Sequence, residues 1–218
     1  MSFQDELADI KQAVTEKRGA EMIATYERGI DALRATGIAN RALAVGDAMP
    51  DFELPNARGH TIRSKDLVGR GPLIITFYRG GWCPYCNLEL RAYQAQLDRI
   101  RALGTSVVAI SPEQPDQSLS TAERNELAFE VLSDHGNAVA RRFGLAFRLS
   151  DELIETFRRN GNDLEQRNGD GSWELPIPGT VVIDRHSRVV LADVDPDYTK
   201  RQDPVDVLNV VQHSVEKA

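Results

Sequence analysis

The chain has 218 residues, of which 41% are hydrophobic and 27% are charged, a balance typical of a globular protein with one substantial core. The formal net charge of −7, without any basic run interleaved with aromatic residues, argues against nucleic acid or an anionic membrane as a partner. The opening MSFQDELADIKQ lacks the apolar stretch of a secretory signal, and the longest apolar run is too short to span a bilayer. We therefore expect a cytoplasmic protein in a reducing compartment.

Residues 1–43 are predicted to form a helical extension. Apolar residues recur at spacings of three and four on both sides of Gly19, which indicates a pair of helices or one bent helix over residues 3–36 that ends at Gly37. Such a segment packs either against the main domain of its own chain or against the partner in a homodimer. The sequence leaves both alternatives open.

Residues 44–218 are predicted to form one α/β domain. The predicted elements, in chain order, are an extended segment and a short strand within 45–67, a buried strand at 72–78, a long amphipathic helix ending at Gly104, a strand at 105–111, a helix at 115–129, a short strand at 131–134, a helix at 137–143, a hairpin of strands at 180–184 and 188–194, and a helix at 203–215. This order is typical of a three-layer α/β/α architecture with a mixed sheet.

Two stretches of the chain do not fit this pattern. Residues 145–175 are predicted to be an insertion with one short helix and a Gly/Asn-rich loop, which is typical of a functional or mobile segment. The stretch DVDPDYTKRQDP at 193–204 groups Asp195, Asp197 and Tyr198, and such a cluster either binds a cation or forms a solvated turn. We favour the solvated turn.

The two cysteines of the chain, Cys83 and Cys86, are separated by two residues. Because a strand ends at residues 80–81 and a helix follows, Cys83 is predicted to lie at a helix N-terminus, where unpaired N–H groups and the helix dipole stabilise a thiolate. Arg79 is close enough in sequence to add a positive charge, and Pro84 fits the first helical turn. We therefore predict a depressed pKa for Cys83 as the attacking thiol, and a less exposed Cys86 as the resolving thiol.

A Cys-X-X-Cys pair also occurs as half of a zinc site. The chain contains no third cysteine and its four histidines are scattered singly, so we favour redox chemistry, expect surface histidines, and expect neither a metal nor a cofactor. Trp82 either covers the site or is an ordinary packed aromatic residue. Pro178, ahead of a strand predicted to lie beside the cysteine turn, is either a cis-proline opposite the cysteines or the end of a loop.

The run VGDAMPDFELPNARGHTIRSKDLVGRGPLIITFYRGGWCPYC resembles the alkyl hydroperoxide reductase/thiol-specific antioxidant family, the peroxiredoxins, which have a thioredoxin-like fold. The resemblance covers about residues 44–215 and includes the TVVID strand at 180–184. It implies that a Cys83 thiolate attacks a hydroperoxide to give a sulfenic acid. It also implies that Cys86 condenses with this sulfenic acid, and that a thioredoxin-type donor reduces the resulting disulfide.

The sequence departs from the peroxiredoxin pattern at residues that position the peroxide. The family carries a proline and a threonine seven and three residues before the attacking cysteine, where this chain has Thr76 and Gly80. Pro178 stands where the family has an arginine, and Arg79 is a candidate to replace that arginine. WCPYC together with Pro178 is more similar to thioredoxin and glutaredoxin.

Three hypotheses follow for the function of the chain. The first is a peroxiredoxin-like antioxidant peroxidase that reduces hydroperoxides and is recycled by a thioredoxin-type donor. The second is a thiol–disulfide oxidoreductase that acts on protein or small-molecule disulfides and has thioredoxin- or glutaredoxin-type partners. The third is a non-enzymatic redox sensor whose thiols control a binding surface. We adopt the first, because the resemblance extends over most of the chain.

Overall fold

A mixed five-stranded sheet forms the centre of the protein. The computed structural model describes residues 1–216, and its strands are β1 (Glu53–Pro55), β2 (Thr61–Arg63), β3 (Leu73–Phe77), β4 (Ser106–Ser111), β5 (Glu130–Ser133), β6 (Ala146–Arg148), β7 (Glu174–Pro176), β8 (Gly179–Ile183) and β9 (Val189–Val194). The central sheet has the order β5-β4-β3-β8-β9, with β3, β4 and β5 parallel and with β8 and β9 antiparallel to their neighbours. All of β3 is buried, as its continuous apolar run predicts.

Helices cover both faces of this sheet. They are α1 (Phe3–Arg18), α2 (Ala20–Ala35), α3 (Ser64–Val68), α4 (Pro84–Ala95), α5 (Leu97–Ala102), α6 (Pro115–Arg124), α7 (Ala138–Arg142), α8 (Asp151–Arg159), α9 (Leu164–Asn168) and α10 (Pro204–Glu216). On one face, α4, α5 and α10 pack against Ile74 and Val182 of the sheet. On the other face, Ile75 and Phe77 pack with residues of α3 and α7. The predicted three-layer α/β/α architecture with a mixed sheet is confirmed.

The N-terminal segment forms a pair of helices that packs against its own chain. Gly19, with a φ of 78°, separates α1 from α2, so the alternative of one bent helix is wrong. Phe3 and Leu7 of α1 are buried beside α4, and α2 contacts α8. Packing on the domain of the same chain is therefore what the structure shows, whereas a homodimer and the domain boundary between residues 43 and 44 stay predictions.

The segment at 145–175 is more ordered than its composition predicts. β6 and β7 form a two-stranded antiparallel ladder, and α8 and α9 lie between them. Leu153 and Phe157 of α8 join Trp173 in a small apolar core, against which Tyr26 of α2 packs. The prediction of one short helix and a loop is wrong, because long-range packing of these apolar side chains stabilises elements whose local sequence is rich in Gly and Asn.

Several smaller expectations can be compared with the structure. The long helix predicted to end at Gly104 is broken at Gln96, and the helix predicted at 115–129 ends at Arg124. His60, His135, His186 and His213 are all exposed, as predicted. Within residues 1–216, none of the helices is both long enough and apolar enough to cross a membrane.

Candidate active site

The two cysteines follow the carboxyl end of β3, the central strand of the sheet, with Cys83 in the turn before α4 and Cys86 within α4. Cys83 is the N-cap of α4 and Pro84 is the first helical residue, as predicted. A side chain at Gly80, which has a φ of 145°, would lie 2.4 Å from Nε1 of Trp82. A Cβ at Gly81 would lie 2.1 Å from Oγ1 of Thr121. The two glycines therefore allow the backbone to bring Cys83 to the start of the helix.

The two sulfur atoms are close together and fully buried. The Cys86 thiol donates a hydrogen bond to Sγ of Cys83 at 2.8 Å, and Nη2 of Arg79 donates to the same sulfur at 3.3 Å. Both cysteines are 0% exposed and share an apolar cluster with Phe3 and Leu7 of α1. The prediction that Cys86 is less exposed than Cys83 is therefore wrong, because both side chains are enclosed in the apolar cluster to which α1 contributes.

The electrostatics of the site distinguish the two thiols. Burial alone would raise the pKa of Cys83, but the hydrogen bond from Cys86 and the charges of Arg79 and Arg201 together hold that pKa well below its ordinary value. Burial, the hydrogen bond to Cys83 and the negative charge of Cys83 raise the pKa of Cys86 well above its ordinary value. The surroundings therefore favour the thiolate on Cys83 rather than on Cys86, in the direction that the sequence predicts.

Arg79 is held in place by aromatic rings. Its guanidinium carbon lies 3.6 Å from the ring centroid of Tyr198 and 4.9 Å from that of Trp82. The ring of Tyr198 in turn contacts Tyr85 of α4 edge-on, with centroids 5.8 Å apart. Burial raises the pKa of Tyr198 to about 12, so this side chain is neutral at pH 7. The aromatic contacts therefore orient a desolvated positive charge toward Cys83.

A second guanidinium approaches the other sulfur. Nη2 of Arg201 lies 3.6 Å from Sγ of Cys86, and its Nε donates to Oε2 of Glu89 at 2.8 Å. The side chains of Arg201 and Glu89 are only 1% and 2% exposed. The other carboxylate oxygen of Glu89 accepts a hydrogen bond from Thr180 at 3.3 Å. Each cysteine of the pair therefore has its own arginine.

The turn that supplies Arg201 and Tyr198 is not simply a solvated one. Backbone carbonyls of Tyr198 and Lys200 accept hydrogen bonds from Arg201, which folds the turn around the guanidinium. Asp195 and Asp197 do have the role expected in a turn, since their carboxylates accept N–H groups two residues further on. The interpretation of this stretch as a solvated turn is therefore wrong for Tyr198, which lies in the site.

The remaining predicted residues surround the thiols at different distances. Trp82 is partly buried and packs edge-on against Phe157 of α8, with centroids 5.2 Å apart, in addition to its contact with Arg79. Pro84 is exposed at the helix start. Pro178 precedes β8, the neighbour of β3 in the sheet, and lines with Arg79 a cavity of about 30 Å³. All peptide bonds of the described residues are trans, so the alternative of a cis bond at Pro178 is wrong.

The surroundings of the two sulfur atoms differ from those of a metal site. Among residues 1–216, no three His, Cys, Asp or Glu side chains are grouped so that they could hold a metal ion. The two sulfur atoms are instead surrounded by hydrogen-bond donors and aromatic rings. This environment suits a thiolate rather than a metal-bound sulfur.

Sequence reasoning did not identify Arg201 and Glu89. Glu89 had a detectable signal, because it follows Cys86 by three residues and precedes Tyr93 by four, which places a carboxylate on the buried face of the helix. Arg201 had none, since a basic residue in a polar stretch before a helix is ordinarily solvated. Only the tertiary structure brings the 195–203 turn against α4.

Comparison with known proteins places this site in a family. The model of the AhpC/TSA family matches residues 45–192. Peroxiredoxin Bcp of Escherichia coli (strain K12) is 30% identical over 103 residues, which are 47% of this chain and 65% of that protein. Chloroplastic Peroxiredoxin Q of Populus jackii is 29% identical over 100 residues, which are 46% of each chain. The alignments thus span less than two thirds of either relative.

A solved structure shows the same fold. Peroxidoxin BcpB from Mycobacterium tuberculosis superposes with a TM-score of 0.63 at 22% identity, covering 78% of this chain and 97% of that chain. The thioredoxin-like fold of this protein is therefore shared with that structure. Since the family model covers more than half of the sequence, and since the sequence resemblance points the same way, the protein belongs to the AhpC/TSA family, the family of the peroxiredoxins.

Proposed function

We propose that the protein is a thiol peroxidase in which Cys83 attacks hydroperoxides and Cys86 resolves the product as an intramolecular disulfide. The observation that carries this proposal is the pair of hydrogen bonds to Sγ of Cys83, from Cys86 at 2.8 Å and from Arg79 at 3.3 Å. Two donors at a helix N-terminus stabilise the thiolate, which is the nucleophilic form of cysteine. Membership of the peroxiredoxin family supports the same reaction.

The first step transfers one oxygen atom. The Cys83 thiolate attacks the terminal oxygen of R–O–O–H, the O–O bond breaks, and the products are Cys83–S–OH and an alkoxide that takes a proton from solvent. Negative charge moves from sulfur to the leaving oxygen during this step. The buried guanidinium of Arg79, already fixed against Tyr198, is placed to stabilise that charge without rearrangement. Arg79 thereby takes the role that an arginine at position 178 would have in the family pattern.

The burial of the cysteines favours a small oxidant over a protein disulfide. Thiol–disulfide exchange requires the attacking sulfur to reach a sulfur of the substrate directly, and both sulfurs here are 0% exposed, so a protein disulfide could react only after the reduced site had opened. We therefore favour hydrogen peroxide or a small organic hydroperoxide as the substrate.

The second candidate function is thiol–disulfide oxidoreductase activity. Its supporting observation is the CPYC turn itself, with Pro84 at the first helical position and Pro178 beside the neighbouring strand β8. A redox sensor without turnover is the third candidate, since α1 covers the thiols and would respond to their oxidation. The oxidoreductase predicts a reaction with peroxide no faster than that of an ordinary free thiol, whereas the sensor predicts slow turnover with any donor and a conformational change on oxidation.

Recycling requires an electron donor that reaches the buried disulfide. We propose a thioredoxin- or glutaredoxin-type protein in this role, with α1 moving away from α4 to expose the sulfur atoms. The contact between α1 and α4 rests on apolar side chains such as Phe3 and Leu7, with a hydrogen bond from Gln4 to the Arg201 carbonyl at 3.0 Å. Oxidation of Cys83 removes the negative charge of its buried thiolate, and so changes the electrostatics of the cluster to which α1 contributes.

The rate of reaction with hydrogen peroxide tests the proposal. Reduced protein is mixed with peroxide and compared with a Cys83→Ser variant, and a sulfenic-acid trap is applied in a Cys86→Ser background. We expect fast trapping that depends on Cys83. A rate equal to that of a free thiol would contradict the peroxidase proposal, and turnover of insulin or glutathione disulfide would then support the second candidate.

A further inference from the structure

The ion pair of Arg201 with Glu89 enters the first step only through the charge of Arg201, which helps to lower the pKa of Cys83. Arg201 contacts Sγ of Cys86 at 3.6 Å, on the resolving thiol rather than the attacking one. Glu89 fixes the guanidinium through Nε at 2.8 Å and is itself held by Thr180. Arg201 also lies outside residues 45–192, so it does not belong to the part of the chain that matches the family model.

An ion pair of this kind is costly to bury, which calls for a reason beyond stability. Two charges lose their hydration when they are removed from water, and a well-packed apolar pair is often equally stable in their place. Here the guanidinium also faces a sulfur atom that is protonated in the reduced protein. A cation beside a neutral thiol stabilises that thiol only weakly, but it stabilises a thiolate strongly.

Oxidation of Cys83 changes the charge that Cys86 experiences. In the reduced protein, the thiolate of Cys83 accepts the Cys86 proton in a hydrogen bond and opposes ionisation of Cys86. A sulfenic acid is uncharged at the same position, so this opposition disappears once the first step is complete. The positive charges of Arg79 and Arg201 remain, and the Arg201 guanidinium contacts the Cys86 sulfur directly.

Resting on the proposed peroxidase function, we propose that Arg201 is a catalytic residue of the resolving step, which stabilises Cys86 as the thiolate that attacks the Cys83 sulfenic acid, and that Glu89 is its positioning residue. The Cys86 proton leaves to solvent, the Cys86 sulfur forms a bond to the Cys83 sulfur, and the S–O bond breaks. The departing hydroxide takes up a proton, so that one water molecule is released for each disulfide formed. No further oxidant or reductant is needed.

The charged and titratable groups around Cys86 determine how the rate of disulfide formation depends on pH. They are Cys83, Arg79 and Arg201, with Glu89 behind Arg201 and Tyr78 at the end of β3, and the apolar Phe3 and Leu7 of α1 belong to the same cluster as Cys86. Burial raises the pKa of Tyr78, which keeps it neutral near pH 7. The arginines therefore supply the positive charge around Cys86 once Cys83 is oxidised.

A single-turnover experiment separates the two steps. The reduced full-length protein is mixed with hydrogen peroxide and sampled over time, and mass spectrometry distinguishes trapped Cys83 sulfenic acid from the Cys83–Cys86 disulfide. The test variant is Glu89→Gln/Arg201→Met, which removes both charges and so leaves neither one buried alone. The control is Glu174→Gln/Arg141→Met, a partly exposed pair that also meets at 2.8 Å but lies outside the site.

The two rates give distinct outcomes. We expect disulfide formation in the test variant to slow by about tenfold or more, with accumulation of sulfenic acid. Sulfenic acid formation also loses the contribution of the Arg201 charge but should slow less, because Arg79 stays in contact with the Cys83 sulfur. The deficit in disulfide formation should shrink at high pH, where Cys86 ionises unaided. Arg201→Lys, which retains the charge, should restore part of the rate and also serves if the double variant does not fold. The control should follow the wild type in both steps.

Two results would overturn these conclusions separately. A folded double variant that forms its disulfide at the wild-type rate overturns the role of Arg201 and leaves the peroxidase function intact. A Cys86→Ser variant that yields no Cys83 sulfenic acid overturns the peroxidase function, and the role of Arg201 falls with it. A tenfold loss in disulfide formation, with a smaller loss in sulfenic acid formation, supports both.

Discussion

Replacement of Arg79 by methionine should remove the main external charge that holds Cys83 as a thiolate. Nη2 of Arg79 lies 3.3 Å from the sulfur, and at an effective dielectric constant of about 20 Coulomb's law gives on the order of 5 kcal/mol for this pair. Part of that energy is recovered in the variant, because the Cys86 thiol and the helix N-terminus still stabilise the anion. We expect about 3 kcal/mol to be lost, which is roughly a hundredfold in the rate of sulfenic acid formation at pH 7.

The pH dependence of the reaction with hydrogen peroxide should distinguish Arg79→Met from the wild-type protein. The pKa of Cys83 is lowered in the wild-type protein, so its thiolate persists as pH falls below the ordinary thiol range and is lost only at the lowered pKa. In the variant the thiolate forms at higher pH, and the rate should climb with pH where the wild-type rate is flat. Stopped-flow mixing with hydrogen peroxide measures both profiles.

A matched control keeps this test specific to charge at the sulfur. Arg124→Met removes a guanidinium that donates to the Gly81 carbonyl at 3.1 Å in the same turn, without contact to either cysteine. This variant should react within about threefold of the wild type. The reasoning is refuted if Arg79→Met also reacts within about threefold of the wild type at pH 7 and shows the same flat profile.

Two further predictions concern the shape of the site. Gly81→Ala should destabilise the protein by about 1–3 kcal/mol in denaturant unfolding, because its Cβ would lie 2.1 Å from Oγ1 of Thr121. The control Gly171→Ala, with open space around it, should be nearly neutral. Equal stability of the two variants would contradict this prediction. Reduced Cys83 should react with iodoacetamide more slowly than an exposed thiol despite its lowered pKa, because it is 0% exposed, and Phe3→Ala should accelerate the reaction; a fast wild-type reaction would show that α1 does not restrict access.

Much of the fold was predictable because it depends on local patterns. The continuous apolar run at 72–78 identified the central strand, and the Gly-Gly pair followed by Cys83 and Pro84 identified the start of a helix. Each of these signals lies within a few neighbouring residues, so it can be recognised without knowing how the rest of the chain packs. The packing of 145–175 was not predictable, since its apolar residues become a core only when α2 and α8 meet.

The sequence by itself determined the cysteine pair, its position at a helix N-terminus and the arginine four residues before it. Only the tertiary structure decided that both sulfurs are buried beneath α1, that Tyr198 fixes Arg79, and that Arg201 reaches Cys86 from a turn 115 residues away. The reason is physical: the helix dipole and the adjacent guanidinium act over one turn of chain and are encoded locally. Burial and the second charge depend on which distant segments pack together, and that depends on the whole core.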